Sequence, residues 1–174
     1  MTRSPILRTL LIILLLGSIA APVSAGPFPQ IAFIAMGYKE VTLASLKPSE
    51  YRNRRAADPS GFLSVTADFN GDGIDDEARI LANPQMGDAR VVIVIQSPDK
   101  IDTYVLRSVP IGSLNRLAIQ LAPAKADAEG KPGLSGLIVF DFDGGAELNI
   151  LKNGEFEATA ITAPATTLKK PSQF

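Results

Sequence analysis

Oxygen-bearing side chains stand at the first, third, fifth and ninth places of one short run, Asp68-Phe69-Asn70-Gly71-Asp72-Gly73-Ile74-Asp75-Asp76. A hard cation such as Ca²⁺ takes six to eight oxygens at about 2.3–2.6 Å, and a tightly curled loop supplies them by aiming alternate side chains inward and adding the carbonyl of its seventh residue. On that spacing Asp68, Asn70, Asp72 and Asp76 are the expected side-chain ligands, with the carbonyl of Ile74 completing the set. Gly73 holds the sixth place, where the chain turns through a conformation that a Cβ disfavours, and Gly71 relieves crowding beside it. The metal-free reading of the same residues is an Asx-turn hairpin in which Asp68 and Asn70 cap backbone amides. Carboxylates packed so closely repel one another, and a cation compensates that repulsion.

An EF-hand would place a glutamate twelfth and a helix on either side. Here the twelfth residue is Arg79, and the flanks Phe62–Ala67 and Glu77–Leu81 read as strands. The loop with its strands resembles the calcium loops of FG-GAP and VCBS-type repeats, the units of integrin-like β-propellers, whose pattern Asp-x-Asn/Asp-x-Asp-Gly-x-x-Asp it matches in full. The resemblance implies the same ligands, Asp68, Asn70, Asp72, Asp76 and the Ile74 carbonyl, and gives Asp75 no ligand role, so that it faces solvent. There is one loop only, the Phe-Gly and Gly-Ala-Pro residues of the repeat are missing around it, and the chain is too short for the four blades of a propeller. The body as a whole resembles small exported bacterial proteins carrying one such loop.

Composition removes other chemistries. The 174 residues include no cysteine, histidine or tryptophan, which excludes histidine-dependent triads, thiol chemistry and histidine-ligated zinc. The first 25 residues read as a Sec-type signal peptide: Arg3 and Arg8, an apolar run from Leu10 to Ala21, and Val23-Ser24-Ala25 before Gly26. The apolar run is shorter than the roughly 20 residues that cross a bilayer, so no stable membrane anchor is expected after cleavage, and the compartment is the bacterial periplasm or the medium. Without Arg3 and Arg8 the 17 basic residues become 15 against 18 acids, a net charge of −3. Nucleic acid is not an expected partner, because a phosphate backbone demands a basic face. The only basic cluster, Arg52-Asn53-Arg54-Arg55, reads as a solvated helical turn.

The expected architecture is all-β: a single antiparallel β-meander domain, propeller-blade-like or a small sandwich, with a short N-terminal helix. A lead segment spans 26–60, in which Ile31–Met36 reads as an edge strand and Pro48-Ser49-Glu50-Tyr51 opens a short helix with Ser49 as N-cap. The β domain spans 61–162. After the loop strands come Arg90–Gln96, Ile101–Val109, Leu117–Leu121, Leu137–Phe142, Glu147–Leu151 and Phe156–Ile161. Asn153-Gly154 is the strongest short hairpin signal. The tail 163–174 reads as disordered.

Two other motifs are weak. Leu137–Gly145 looks like the opening of haloacid-dehalogenase-type phosphatases, but Gly145 stands where threonine belongs and strand-like residues follow. Ser97-Pro98-Asp99-Lys100 has Ser-x-x-Lys spacing but links two strands. The sequence thus points to an exported, non-enzymatic calcium-binding β-domain that serves as a binding or structural module for a protein or glycan partner. The alternative is a metal-assisted hydrolase using Asp141 and Asp143 near the loop. Secreted protein is predicted to begin at Gly26, which intact-mass measurement checks; full-length chain in the membrane fraction would contradict it.

Overall fold

The computed structural model describes residues 31–125 and 133–162; the expected signal peptide and tail lie outside the described residues. Helix α1 (Ile31–Ala35) and the two-residue strand β1 (Lys39–Glu40) precede α2 (Tyr51–Arg55). Strands β2 (Ser64–Ala67), β3 (Asp76–Asn83), β4 (Asp88–Ser97) and β5 (Lys100–Pro110) follow, then β6 (Leu117–Ala122), β7 (Gly136–Asp141), β8 (Ala146–Lys152) and β9 (Glu155–Ile161). Every strand pairing is antiparallel. The all-β expectation holds, and the meander is divided between two sheets. One has the order β1-β3-β4-β5 with β2 also on β3, and the other runs β6-β7-β8-β9.

The two sheets face each other across one core. Ala78, Ile80, Val91, Ile93 and Ile95 from the first sheet cluster with Leu117, Ile119, Leu137 and Val139 from the second, as the period-2 alternation of strands requires. The Ile119 amide donates to the Phe62 carbonyl at 2.9 Å, joining the sheets along one side. On the other side the rings of Tyr104 and Phe156 meet edge-on at 5.2 Å, and Tyr104 donates its hydroxyl to the Gly154 carbonyl. The unbroken apolar run of β4 has a direct cause. Val91, Ile93 and Ile95 face the second sheet, while Val92 and Val94 are covered by Phe33 and Tyr38 on the opposite face.

Those covering residues correct the edge strand expected at Ile31–Met36, which is α1 and the turn after it. The Tyr38 amide donates to the Phe33 carbonyl and the Gly37 amide to that of Ile34, the paired bonds of a Schellman cap. Gly37 takes the left-handed conformation this cap needs (φ +83°), and the Phe33 and Tyr38 rings supply its apolar contact at 5.8 Å. A six-residue apolar run does not distinguish helix from strand by periodicity; the glycine and aromatic that follow decide it. The hairpins fall as read: Ser97 pairs with Lys100, and Leu151 with Phe156 across Asn153-Gly154.

The basic turn is the larger correction. Arg52 is exposed, but Arg54 is partly buried and Arg55 only 1% exposed. Ser49 does not cap the helix, whose N-cap position is Glu50 without a side-chain bond. From α2 the Arg55 guanidinium donates to the carbonyls of Gly61 at 2.7 Å, Asn115 at 3.0 Å and Leu117 at 2.7 Å. It also lies over the Phe142 ring at 5.1 Å. Desolvation pushes its pKa down to about 10, so it stays charged at neutral pH. One side chain thereby ties α2, the approach to β2 and the start of β6 together. Arg55→Ala strands those carbonyls, at about 1–3 kcal/mol for each buried acceptor left unpaired. It is expected to cost at least about 3 kcal/mol in urea denaturation, and Arg55→Lys, lacking the planar fork, to restore only part.

Candidate metal centre

The loop 68–76 joins β2 to β3, whose register pairs Ala67 with Asp76 at its neck. Gly71 and Gly73 both adopt left-handed φ, +81° and +84°, as their places in the motif require. At Gly73 the reason is conformation alone, since a Cβ there would touch nothing, whereas at Gly71 it would meet Leu134 Cδ2 at 2.9 Å. Leu134, just before β7, therefore sits against the loop, a contact that local spacing does not announce.

Asp76 is fully buried. Its Oδ2 accepts the Phe69 amide and its Oδ1 the Gln96 amide, each at 2.8 Å. The first bond closes the loop; the second fastens it to β4. Phe69, also fully buried, carries the loop's apolar anchor into the core. Asp68 accepts the amides of Gly71 at 2.6 Å and Gly73 at 2.9 Å, one on each oxygen. Asn70 Oδ1 accepts the Asp72 amide, and Asp72 Oδ1 that of Ile74. Asn70 Nδ2 donates to Asp72 Oδ2 at 2.8 Å and to Ser97 Oγ at 3.2 Å. Asp75 is exposed, as expected of a residue outside the ligand set.

These are the Asx-turn bonds of the metal-free reading, and among the described residues no group of three or more acidic side chains converges as a metal cage. The donor set still fits a hard cation. A carboxylate offers about four lone-pair sites, and Asp68, Asp72 and Asp76 each use one per oxygen. Asn70 would have to turn its carbonyl oxygen to where its amide nitrogen meets Asp72. Among the described residues no lysine or arginine forms an ion pair with Asp68, Asp72, Asp75 or Asp76. The charges are felt: the Asp76 carboxyl is raised above the usual aspartate range, first by burial and further by Asp68 and Asp72, against the lowering effect of its two amide bonds. Asp72, in water, is lowered, chiefly by the Ile74 amide.

No family model, curated protein or solved structure matches the chain. The reading of the site therefore stands on its own geometry.

Asp141 and Asp143 occupy a different place. Asp141 ends β7 and pairs with Arg116 at 3.5 Å, while Asp143 lies in the following turn rather than on the strand. Asp143 accepts the Tyr51 hydroxyl and pairs with Arg54 at 3.8 Å. The loop abuts the other end of the strand, at Leu134, and Gly136 to Asp141 spans roughly 16 Å at about 3.3 Å per residue. Glu147 faces Arg107 at 4.0 Å. No pairing brings these acids to the loop among the described residues. The strand itself lies in an antiparallel sheet, unlike the α/β opening that the phosphatase-like motif would require.

Because the Asp76 carboxyl is raised in the folded state, its stabilising contribution is full below the ordinary aspartate value of about 4 and is lost as pH rises through the folded value. In chelator, the melting temperature of Asp76→Asn relative to the parent should therefore climb as pH is raised from about 4 to 7. A flat difference across that range would contradict a burdened carboxylate at this position.

Proposed function

We propose that the protein is an exported, non-enzymatic β-domain whose 68–76 loop binds one Ca²⁺ through Asp68, Asn70, Asp72, the Ile74 carbonyl and Asp76. The observation that carries this reading is electrostatic: four carboxylates within nine residues, one of them fully buried, form no ion pair with a lysine or arginine among the described residues. Oxygen-only donors of this kind suit calcium; magnesium demands a stricter octahedron and sheds water reluctantly. When bound, the ion would neutralise the loop and lock the β2–β3 connection to β4 through Asp76 and Gln96. Its role would be to fix a hairpin of the sandwich, leaving the outer surfaces as the module's means of binding a protein or glycan.

The hydrolase alternative draws less support, because Asp141 and Asp143 are each held by an arginine at the far end of β7. A hydrolytic metal needs an open coordination position facing a substrate cleft, and neither acid is arranged toward the loop.

A cation bound only by the folded chain stabilises it by about 2.7 kcal/mol at a hundred times its dissociation constant. For a domain of this size that is roughly 5–10 °C in melting temperature. Chelator-stripped protein is expected to gain such an increment from millimolar calcium and less from magnesium. Asp72→Ala should remove most of the gain and Asp141→Ala almost none. Identical melting with and without calcium would leave the loop an Asx-turn hairpin.

A further inference from the structure

The ligand groups of the loop, Asp68, Asn70, Asp72, Asp76 and the Ile74 carbonyl, leave the shell of a calcium ion short. Ca²⁺ takes six to eight oxygens, and the carboxylates are poorly placed to supply two apiece. Asp68 and Asp76 accept a backbone amide on each oxygen, and Asp72 accepts the Ile74 amide on Oδ1. A further oxygen stands beside the loop but outside its motif. Ser97, the last residue of β4, brings its Oγ to 3.2 Å from Asn70 Nδ2, which is itself 2.8 Å from Asp72 Oδ2. Among the groups that lower the Asp72 carboxyl the Ile74 amide comes first, then Asn70 and then Ser97, so both loop side chains feel the hydroxyl. Its neighbour holds it in place: the Gln96 amide donates to Asp76 Oδ1 at 2.8 Å, and Gln96 Nε2 to the Asp75 carbonyl at 3.1 Å.

We infer that the Ser97 hydroxyl oxygen is a sixth ligand of the ion, supplied from the β4–β5 turn; this rests on the calcium reading of the loop. Two oxygens about 2.4 Å from one ion and roughly 70–90° apart, as in a pentagonal bipyramid, lie about 2.8–3.4 Å from each other. Once Asn70 turns its carbonyl oxygen to where its amide nitrogen lies, Asp72 Oδ2, Asn70 Oδ1 and Ser97 Oγ stand in a row at that spacing. A hydroxyl suits both states of the loop. It accepts from Asn70 Nδ2 without the ion, and offers a lone pair to the ion when the amide has turned. The serine of Ser97-Pro98-Asp99-Lys100 thereby has a role that needs no nucleophilic chemistry, and the ion ties the β2–β3 loop to the turn in which Ser97 pairs with Lys100.

The test uses the full mature chain, stripped with chelator, in two measurements. Calorimetric titration with calcium gives affinity, and the luminescence lifetime of bound Eu³⁺ in light and heavy water counts the waters on the ion. Ser97→Ala is expected to weaken calcium about tenfold, the lower end of what losing one supporting group costs a metal site, and to add one water to the bound europium. Ser97→Thr, which keeps the hydroxyl, should hold both near the parent values. The water count is read only from loaded, folded protein, so a loss of stability in the variant does not imitate it. A parent chain that takes up no calcium overturns this inference together with the reading it rests on. A parent that binds calcium while Ser97→Ala leaves the europium hydration unchanged, whatever the affinity, overturns the sixth ligand alone.

Discussion

A charge taken out of water without a counter-ion must be solvated by backbone dipoles, and among the described residues this happens at two places with opposite signs. Asp76, fully buried, is surrounded by amide donors from Phe69 and Gln96. Arg55, 1% exposed, is surrounded by the carbonyls of Gly61, Asn115 and Leu117. Desolvation of an isolated ion costs several kcal/mol even after relaxation, so neither residue tolerates a loose environment. Each fixes the segments that supply its dipoles. Asp76 sets the β2–β3 loop against β4, and Arg55 sets α2 and the approach to β2 against the start of β6. The apolar core supplies the bulk of the driving force, but these two charges specify which strand ends meet.

Much of this fold is legible in the sequence because its turns are chemically explicit. Asn153-Gly154, Ser97-Pro98-Asp99-Lys100 and the loop glycines all stand where the chain reverses, and the alternating apolar residues between them give the strands. What is not legible is non-local. Arg55 reads as a solvated turn because its neighbours are polar; the acceptors at Asn115 and Leu117 that bury it lie 60 and 62 residues away. Asp76 is legible as a motif position, but not its bond to Gln96, twenty residues on. α1 is missed for the opposite reason: its signal is local, in Gly37 and Tyr38, yet sits just beyond the apolar run. Strand patterning leaves a blade and a small sandwich both open; packing across the core decides for two sheets.

The two buried charges also differ in what they leave undone. Around Arg55 the carbonyls take the terminal nitrogens and leave the buried Nε–H without a partner. Around Asp76 the amides are satisfied, but burial first, and then the charges of Asp68 and Asp72, raise its carboxyl. An excess of negative charge in a short, glycine-relieved loop is a condition that a divalent cation relieves directly. The loop glycines make that relief cheap in backbone terms, since the left-handed turns at Gly71 and Gly73 are already in place.

The central claim is that the relieving cation is calcium, held once per chain. Isothermal titration calorimetry of chelator-stripped protein tests it most directly. The account predicts a saturable heat with a stoichiometry of one calcium ion per chain, abolished when Asp68 and Asp72 are both replaced by asparagine. Absence of saturable heat up to millimolar calcium, or an undiminished site in that double variant, would contradict it.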